Sequence, residues 1–373
     1  MLTRHRRAAL LAALPATALL LAACSAPTTD TSSDNASTPL TVVTSFYPLQ
    51  FVAQQVGGNL ADISNLTPPA ADPHHLELSL AQTRQVGDAD VVVTLTGFAT
   101  AVDEAIEARQ PQRVVDAADI VTLLPASVTG DQGHDHDHDH DSESDSHSHN
   151  HDSDDHSHDD ADDHSHDSAS DSYSHSDESD DHDHDSDDSH SLDHAEMGGY
   201  DPHFWLDPTL LAQLAQPIAD AMADADPANA DTFQANAASL VDQLTQLDRE
   251  FADGLAPFAG AKLVTNHTAF GYLAQRYGLE QVGITGLDHD IEASPARLRE
   301  IGDIVRANNV TTIFSETLVS PRLVDTLASD LGVGTAVLDT LEGLTQQGID
   351  NGDDYFSLMR ANLAALTAGL NTQ

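Results

Sequence analysis

The sequence predicts an α/β protein of two lobes, each with a mainly parallel sheet flanked by helices, joined by one long helix. Three observations predict it. Residues 40–130 alternate short apolar runs with helical periodicity, residues 259–373 repeat that alternation, and residues 227–258 carry one apolar stripe. Alternating strands and helices call for parallel strands covered on both faces.

In the first lobe, residues 40–46 read as an apolar strand, followed by a helix over 49–56 that stops at Gly57-Gly58. A second strand covers 61–66 and a helix 78–86. Val91-Val92-Val93 centre a buried strand over 90–95. A helix over 99–108 and a short strand over 113–115 follow. Residues 197–226 close this lobe, with helical character from Asp207 to a break at Asp226-Pro227. Beyond the break, Phe233, Leu240, Leu244, Leu247 and Phe251 recur at spacings of three, four or seven. They mark one face of a helix about 40 Å long. Such a rod can run the height of both lobes; a helical hairpin packed on one lobe is the other reading of the pattern. The second lobe reads as strands over 262–265, 281–284, 311–314 and 335–338, with helices over 269–277, 295–307, 321–331 and 355–370.

The N-terminus sets the compartment. Arg4, His5, Arg6 and Arg7 precede an apolar run over 8–23, the pattern of a signal peptide spanning 1–23. The run is too short and alanine-rich for a membrane-spanning helix. Leu21-Ala22-Ala23-Cys24 resembles a bacterial lipobox, which implies that Cys24 is lipidated and becomes the first mature residue. Residues 24–39 then form a tether. Cys24 is the only cysteine, so an intramolecular disulfide and a cysteine zinc cluster are both excluded.

Residues 131–196 are a tract of a different kind. Sixteen of the 22 histidines fall between His134 and His194, interleaved with aspartate and serine. So little apolar surface cannot offset chain entropy, and the tract reads as a disordered loop. Its imidazoles, among them His134, His136, His138, His140, His147, His149 and His151, suit weak, exchanging coordination of a transition metal. A loose metal antenna, a sensor of plentiful metal and solvated filler are three readings of it. The tract holds 26 of the 62 acids and none of the 14 bases, so the remainder is acidic too, at −22. With no basic patch, nucleic-acid binding is excluded.

Outside the leader and the tract, five histidines remain: His74, His75, His203, His267 and His289. His74 and His75 follow Asp72-Pro73 in the loop after the second strand. His203 lies in Asp201-Pro202-His203-Phe204-Trp205-Leu206-Asp207-Pro208, and His267 directly follows a strand. In parallel α/β lobes these positions face the crevice where ligands bind. Three imidazoles and one carboxylate complete a tetrahedral zinc site with bonds of about 2.0–2.2 Å. Asp339, at the end of the last strand, is the carboxylate candidate, and Glu316 is a second acid at a strand end.

These motifs carry a resemblance. Over 40–373 apart from the tract, the chain resembles the metal-binding solute receptors of zinc and manganese ABC transporters. The likeness rests on Ser45-Phe46-Tyr47-Pro48, Asp72-Pro73-His74-His75-Leu76-Glu77, the Asp201–Pro208 run and Asn266-His267-Thr268-Ala269-Phe270-Gly271-Tyr272. It continues in Glu292-Ala293-Ser294-Pro295, Ser315-Glu316 and Leu338-Asp339. The resemblance implies one metal in the cleft between two lobes, with ligands at His74, His203, His267 and Asp339. His75 is the alternative first ligand, Glu77 a supporting or structural group, Glu316 the carboxylate that orients a ligating imidazole, and His289 an auxiliary contact. Histidine at position 267, where manganese members carry glutamate, points to Zn2+ over Mn2+. The implied role is capture of Zn2+ without catalysis, and delivery to an ABC permease. The expected protein is a monomer anchored by lipid on the extracytoplasmic face of the bacterial membrane. Two other classes compete: a zinc hydrolase with three histidines and a bound water, using Glu316 or Glu77 as base, and a surface metal buffer or adhesin. The first lacks a His-Glu-x-x-His motif.

Overall fold

The computed structural model describes residues 39–129, 199–287 and 292–371. The expected signal peptide, Cys24, the tract with its histidines and His289 lie outside the described residues. The first lobe runs β1 (Leu40–Thr44), α1 (Tyr47–Gly57), β2 (Ala61–Asn65), α2 (Leu80–Asp88), β3 (Val91–Thr94), α3 (Thr100–Arg109) and β4 (Val114–Asp116). Short helices α4 (Ala117–Ile120), α5 (Ala126–Thr129) and α6 (Pro208–Leu211) lead to α7 (Ala215–Ala225) and α8 (Ala230–Leu255). The second lobe runs β5 (Lys262–Thr265), α9 (Gly271–Tyr277), β6 (Glu280–Gly283), α10 (Pro295–Ala307), β7 (Thr312–Glu316) and α11 (Arg322–Leu331). It closes with β8 (Gly334–Leu338), α12 (Gln346–Asn351) and α13 (Tyr355–Gly369).

Both sheets are parallel and share one topology, β2-β1-β3-β4 in the first lobe and β6-β5-β7-β8 in the second. The period-two alternation of strand side chains distributes each sheet between two apolar layers. Val42, Val91 and Val93 face a central core, whereas Val43 and Val92 pack with Val86 and Val102 of α2 and α3. In the second lobe, Leu263 and Phe314 join the central core, while Val264 and Ile313 pack with Ile301, Val305 and Val324. Capping chemistry sets the ends of the outer helices. Ser79 and Gln82 form a reciprocal capping box at α2, and Ser294 caps α10 ahead of Pro295.

The two readings of the long helix are both partly met. Helix α8 packs on α7 as a hairpin, and it also touches α1 and α6 of one lobe and α9 and α13 of the other. Its buried stripe is Phe233, Ala237, Leu240, Leu244, Leu247, Phe251 and Leu255. The central core therefore runs from Leu40 to Leu370 through this helix without interruption between lobes. No described helix is long and apolar enough to cross a membrane. Leu247 is fully buried on that stripe. Leu247→Ala is expected to cost about 2–5 kcal/mol, from lost burial and the cavity left behind. A lowered midpoint in chemical denaturation checks it, and an unchanged midpoint would show that the stripe does not hold the lobes.

Candidate metal centre

A parallel sheet binds ligands beyond the carboxyl ends of its strands, where the strand order reverses. In the second lobe that place lies between β5 and β7. His267 follows β5, and Glu316 ends β7. The His267 backbone N–H donates to Glu316 Oε1 at 2.8 Å, and the His267 Nδ1 hydrogen-bonds to Glu316 Oε2. The ring is thereby fixed, with Nε2 3.9 Å from Glu342 Oε1.

The first lobe supplies two imidazoles through one repeated device. In Asp72-Pro73-His74 the Asp72 carboxylate accepts the His74 backbone N–H at 2.8 Å, and in Asp201-Pro202-His203 Asp201 accepts that of His203 at 2.9 Å. An aspartate two residues upstream mimics a backbone turn, and the intervening proline restricts the chain further. Asp201 also hydrogen-bonds to His203 Nδ1 at 2.7 Å, which directs Nε2 into the cleft. The His74 ring sits edge-on to Phe98 at 4.6 Å.

These rings meet at one carboxylate. Glu342 Oε1 lies 3.0 Å from His203 Nε2 and 3.3 Å from His74 Nε2. Among the described residues, His74, His203 and Glu342 place their ligand atoms within 4.8 Å of one another. His267 borders them, its ring 5.4 Å from that of His203. Side-chain exposure is 2% for His74, 4% for Glu342 and 0% for His203 and His267, so almost no water reaches the group.

Burial shapes the charges here. It would depress the His203 pKa, but Asp201, and then Glu342, outweigh it and push that value up to about 9. Burial would raise the Glu342 pKa, yet hydrogen bonds from His203 and His74 hold it well below the usual carboxylate range. In the metal-free protein, a protonated imidazole thus stands where a cation could stand.

Asp339, the expected fourth ligand, does not join the group. Its carboxylate turns back and accepts the Leu341 backbone N–H at 2.8 Å. Leu341 sits in the left-handed region at φ 58°, a conformation costing a non-glycine residue about 1–2 kcal/mol, and this turn carries Glu342 to the imidazoles instead. Glu342 escaped the sequence reading because the loop after the last strand offers two acids, and nothing local says which one points inward. The other expected side chains fall around this set. His75 is half-exposed and bonded to Asp72 at 3.1 Å, and Glu77 is exposed. The role of Asp201 had a legible signal in the repeated Asp-Pro-His.

With this geometry in place, comparison with known proteins gives the family. Residues 42–369 match ZnuA, the zinc-uptake complex component A, periplasmic. The chain belongs to this family. It is 31% identical to the high-affinity zinc uptake system protein ZnuA of Bacillus subtilis (strain 168) over 355 residues, covering 94% of each chain. It is 32% identical to the zinc-binding lipoprotein AdcA of Streptococcus pneumoniae (strain R6) over 352 residues. That match covers 94% of this chain but 58% of AdcA, so the chain spans little more than half of that relative. The crystal structure of the Zn(II)-bound ZnuA-like domain of S. pneumoniae AdcA superposes with a TM-score of 0.63 at 28% identity, covering 89% of this chain and 99% of that one. The two-lobed fold is thus that of the ZnuA-like binding proteins.

The pH dependence of this ZnuA-family protein without metal follows from the two shifts. Stability from His203 is fully present below its unfolded pKa of 6.5 and is lost as pH rises through about 9. Stability from the depressed Glu342 is present above 4.5 and is lost as pH falls. The thermal midpoint of the metal-free protein should therefore decline between pH 6.5 and pH 9, and His203→Gln should flatten that decline. An equal decline in the variant would remove His203 as its source.

Proposed function

We propose that this chain captures extracytoplasmic Zn2+ and hands it to the membrane permease of an ABC transporter, the lipid on Cys24 keeping it at the membrane as a monomer. The observation that carries this reading is the meeting of His74, His203 and Glu342, with His267 at their edge, in a cleft that excludes water. The proposed ligands are the Nε2 atoms of His74, His203 and His267 and the carboxylate of Glu342. Three imidazoles and one carboxylate suit zinc, whereas manganese prefers more oxygen ligands. Binding exchanges the water shell of the ion for this prearranged set and displaces the proton on His203.

A set with four protein ligands leaves no open position for an activated water, which favours a carrier over a hydrolase. The candidate bases support this: Glu316 is engaged with His267, and Glu77 is exposed. Delivery follows from the division of ligands. His74 and His203 belong to one lobe, His267 and Glu342 to the other, so docking that parts the lobes divides the set. The His/Asp tract of residues 131–196 acts as a low-affinity zinc collector. Its flanking segments are tied together by the Pro125–Tyr200 bridge, and Tyr200 immediately precedes Asp201.

Trp205 is the single tryptophan, and its ring lies 5.2 Å from that of His203, so its fluorescence can report metal binding. Zinc titration of a protein lacking residues 131–196 should retain one tight event, with nanomolar affinity equivalent to about −12 kcal/mol. His203→Ala should weaken it on the order of 100-fold, or about 2.7 kcal/mol. Loss of the tight event with the tract, or its survival unchanged in His203→Ala, would refute the reading.

A further inference from the structure

Glu342 depends on a loop with little sheet support. Strand β8 lies at the edge of its sheet, and its pairing with β7 ends at Glu316↔Leu338. Asp339 is the first residue past the last paired position, and the next three residues must still carry Glu342 into the cleft with Leu341 in the left-handed region. Something outside the sheet has to hold them.

Asn362 on α13 meets that need. It is 2% exposed on a helix face otherwise buried through Tyr355, Phe356, Met359 and Leu366. Its Nδ2 donates to the Asp339 carbonyl at 2.7 Å, and its Oδ1 accepts the Asp339 N–H at 2.8 Å. One amide thus takes both backbone groups of a single residue, as a neighbouring strand would. Held this way, Asp339 accepts the Leu341 N–H and closes the turn before Glu342. The same helix reaches the other lobe. Tyr355 OH donates to the Trp205 carbonyl at 2.6 Å, and Trp205 Nε1 donates to the Thr340 carbonyl at 2.8 Å. The segment after His203 and the loop before Glu342 therefore rest on one helix and on each other.

We propose that Asn362 is a positioning residue for metal binding: by clamping both backbone groups of Asp339, it sets where the Glu342 carboxylate stands relative to His203 and His74. The proposal rests on Glu342 being a metal ligand, and its test separates the two ideas. Asn362→Leu removes both hydrogen bonds at similar volume, and Asn362→Asp, which keeps the acceptor and loses the donor, replaces it should the leucine variant fail to fold. Zinc affinity is measured on the full chain against a competing chelator that masks the weak histidine sites, alongside the visible absorption of the Co2+-loaded protein.

Asn362→Leu should weaken zinc binding roughly 10- to 100-fold, as losses behind a ligand do, and should alter the Co2+ spectrum. In a Glu342→Gln background the same change should cost less than about threefold, because the group it positions is already lost. An equal loss in both backgrounds would reduce Asn362 to a structural residue and overturn the proposal. Unchanged affinity in Asn362→Leu would do the same. Unchanged affinity in Glu342→Gln alone would instead remove Glu342 as a ligand, and the clamp would fall with it.

Discussion

The carboxylate of Glu342 puts a negative charge where almost no water reaches, and the surrounding structure answers it. A buried charge without a partner is costly, so partners must come from elsewhere in the chain. His74 and His203 supply them from one lobe, with His267 close by on its own side. Behind two of these rings stand further carboxylates, Asp201 and Glu316, which fix the rings, and Asp201 favours the protonated form of His203. In the metal-free state a proton balances this arrangement. A divalent cation is the other species that can, and competition between them would link acidity to the proposed metal capture.

Holding such a group together requires two lobes that keep a common register. Two sheets of identical strand order, each with its crevice at the same topological point, bring their loops face to face. Helix α8 fixes them to one core, and α13 adds a closer tie at the cleft through the hydrogen bond from Tyr355 to Trp205. Long-range support and local turns do different work. The paired Asp-Pro-His turns orient His74 and His203 from within their own segments, whereas the turn that places Glu342 is also held by Asn362, a residue distant in sequence.

That difference explains what could be read in advance. The strands were legible because burial on both faces leaves continuous apolar runs, as in Val91-Val92-Val93. The long helix was legible because one buried stripe leaves a helical period. Its ends shifted by a few residues, since short 3-10 turns at Pro227–Asn229 and Ala256–Phe258 blur the boundaries. The short helices α4, α5 and α12 left no period to find. Three of the four side chains in the candidate centre were legible, because histidines at strand ends before helices are few and chemically distinctive.

By itself the sequence determined which residues could form strands and helices, that the two blocks repeat one architecture, and which imidazoles stand at the mouths of the sheets. Those properties are local, written in periodicity and in turns of a few residues. Only the tertiary structure decided between Asp339 and Glu342. Both are acids on one loop, and the choice is made by a left-handed turn at Leu341 that Asn362, 21 residues further along, helps to hold. Local pattern cannot carry that information, because the backbone conformation is stabilised by a partner that folding alone brings near.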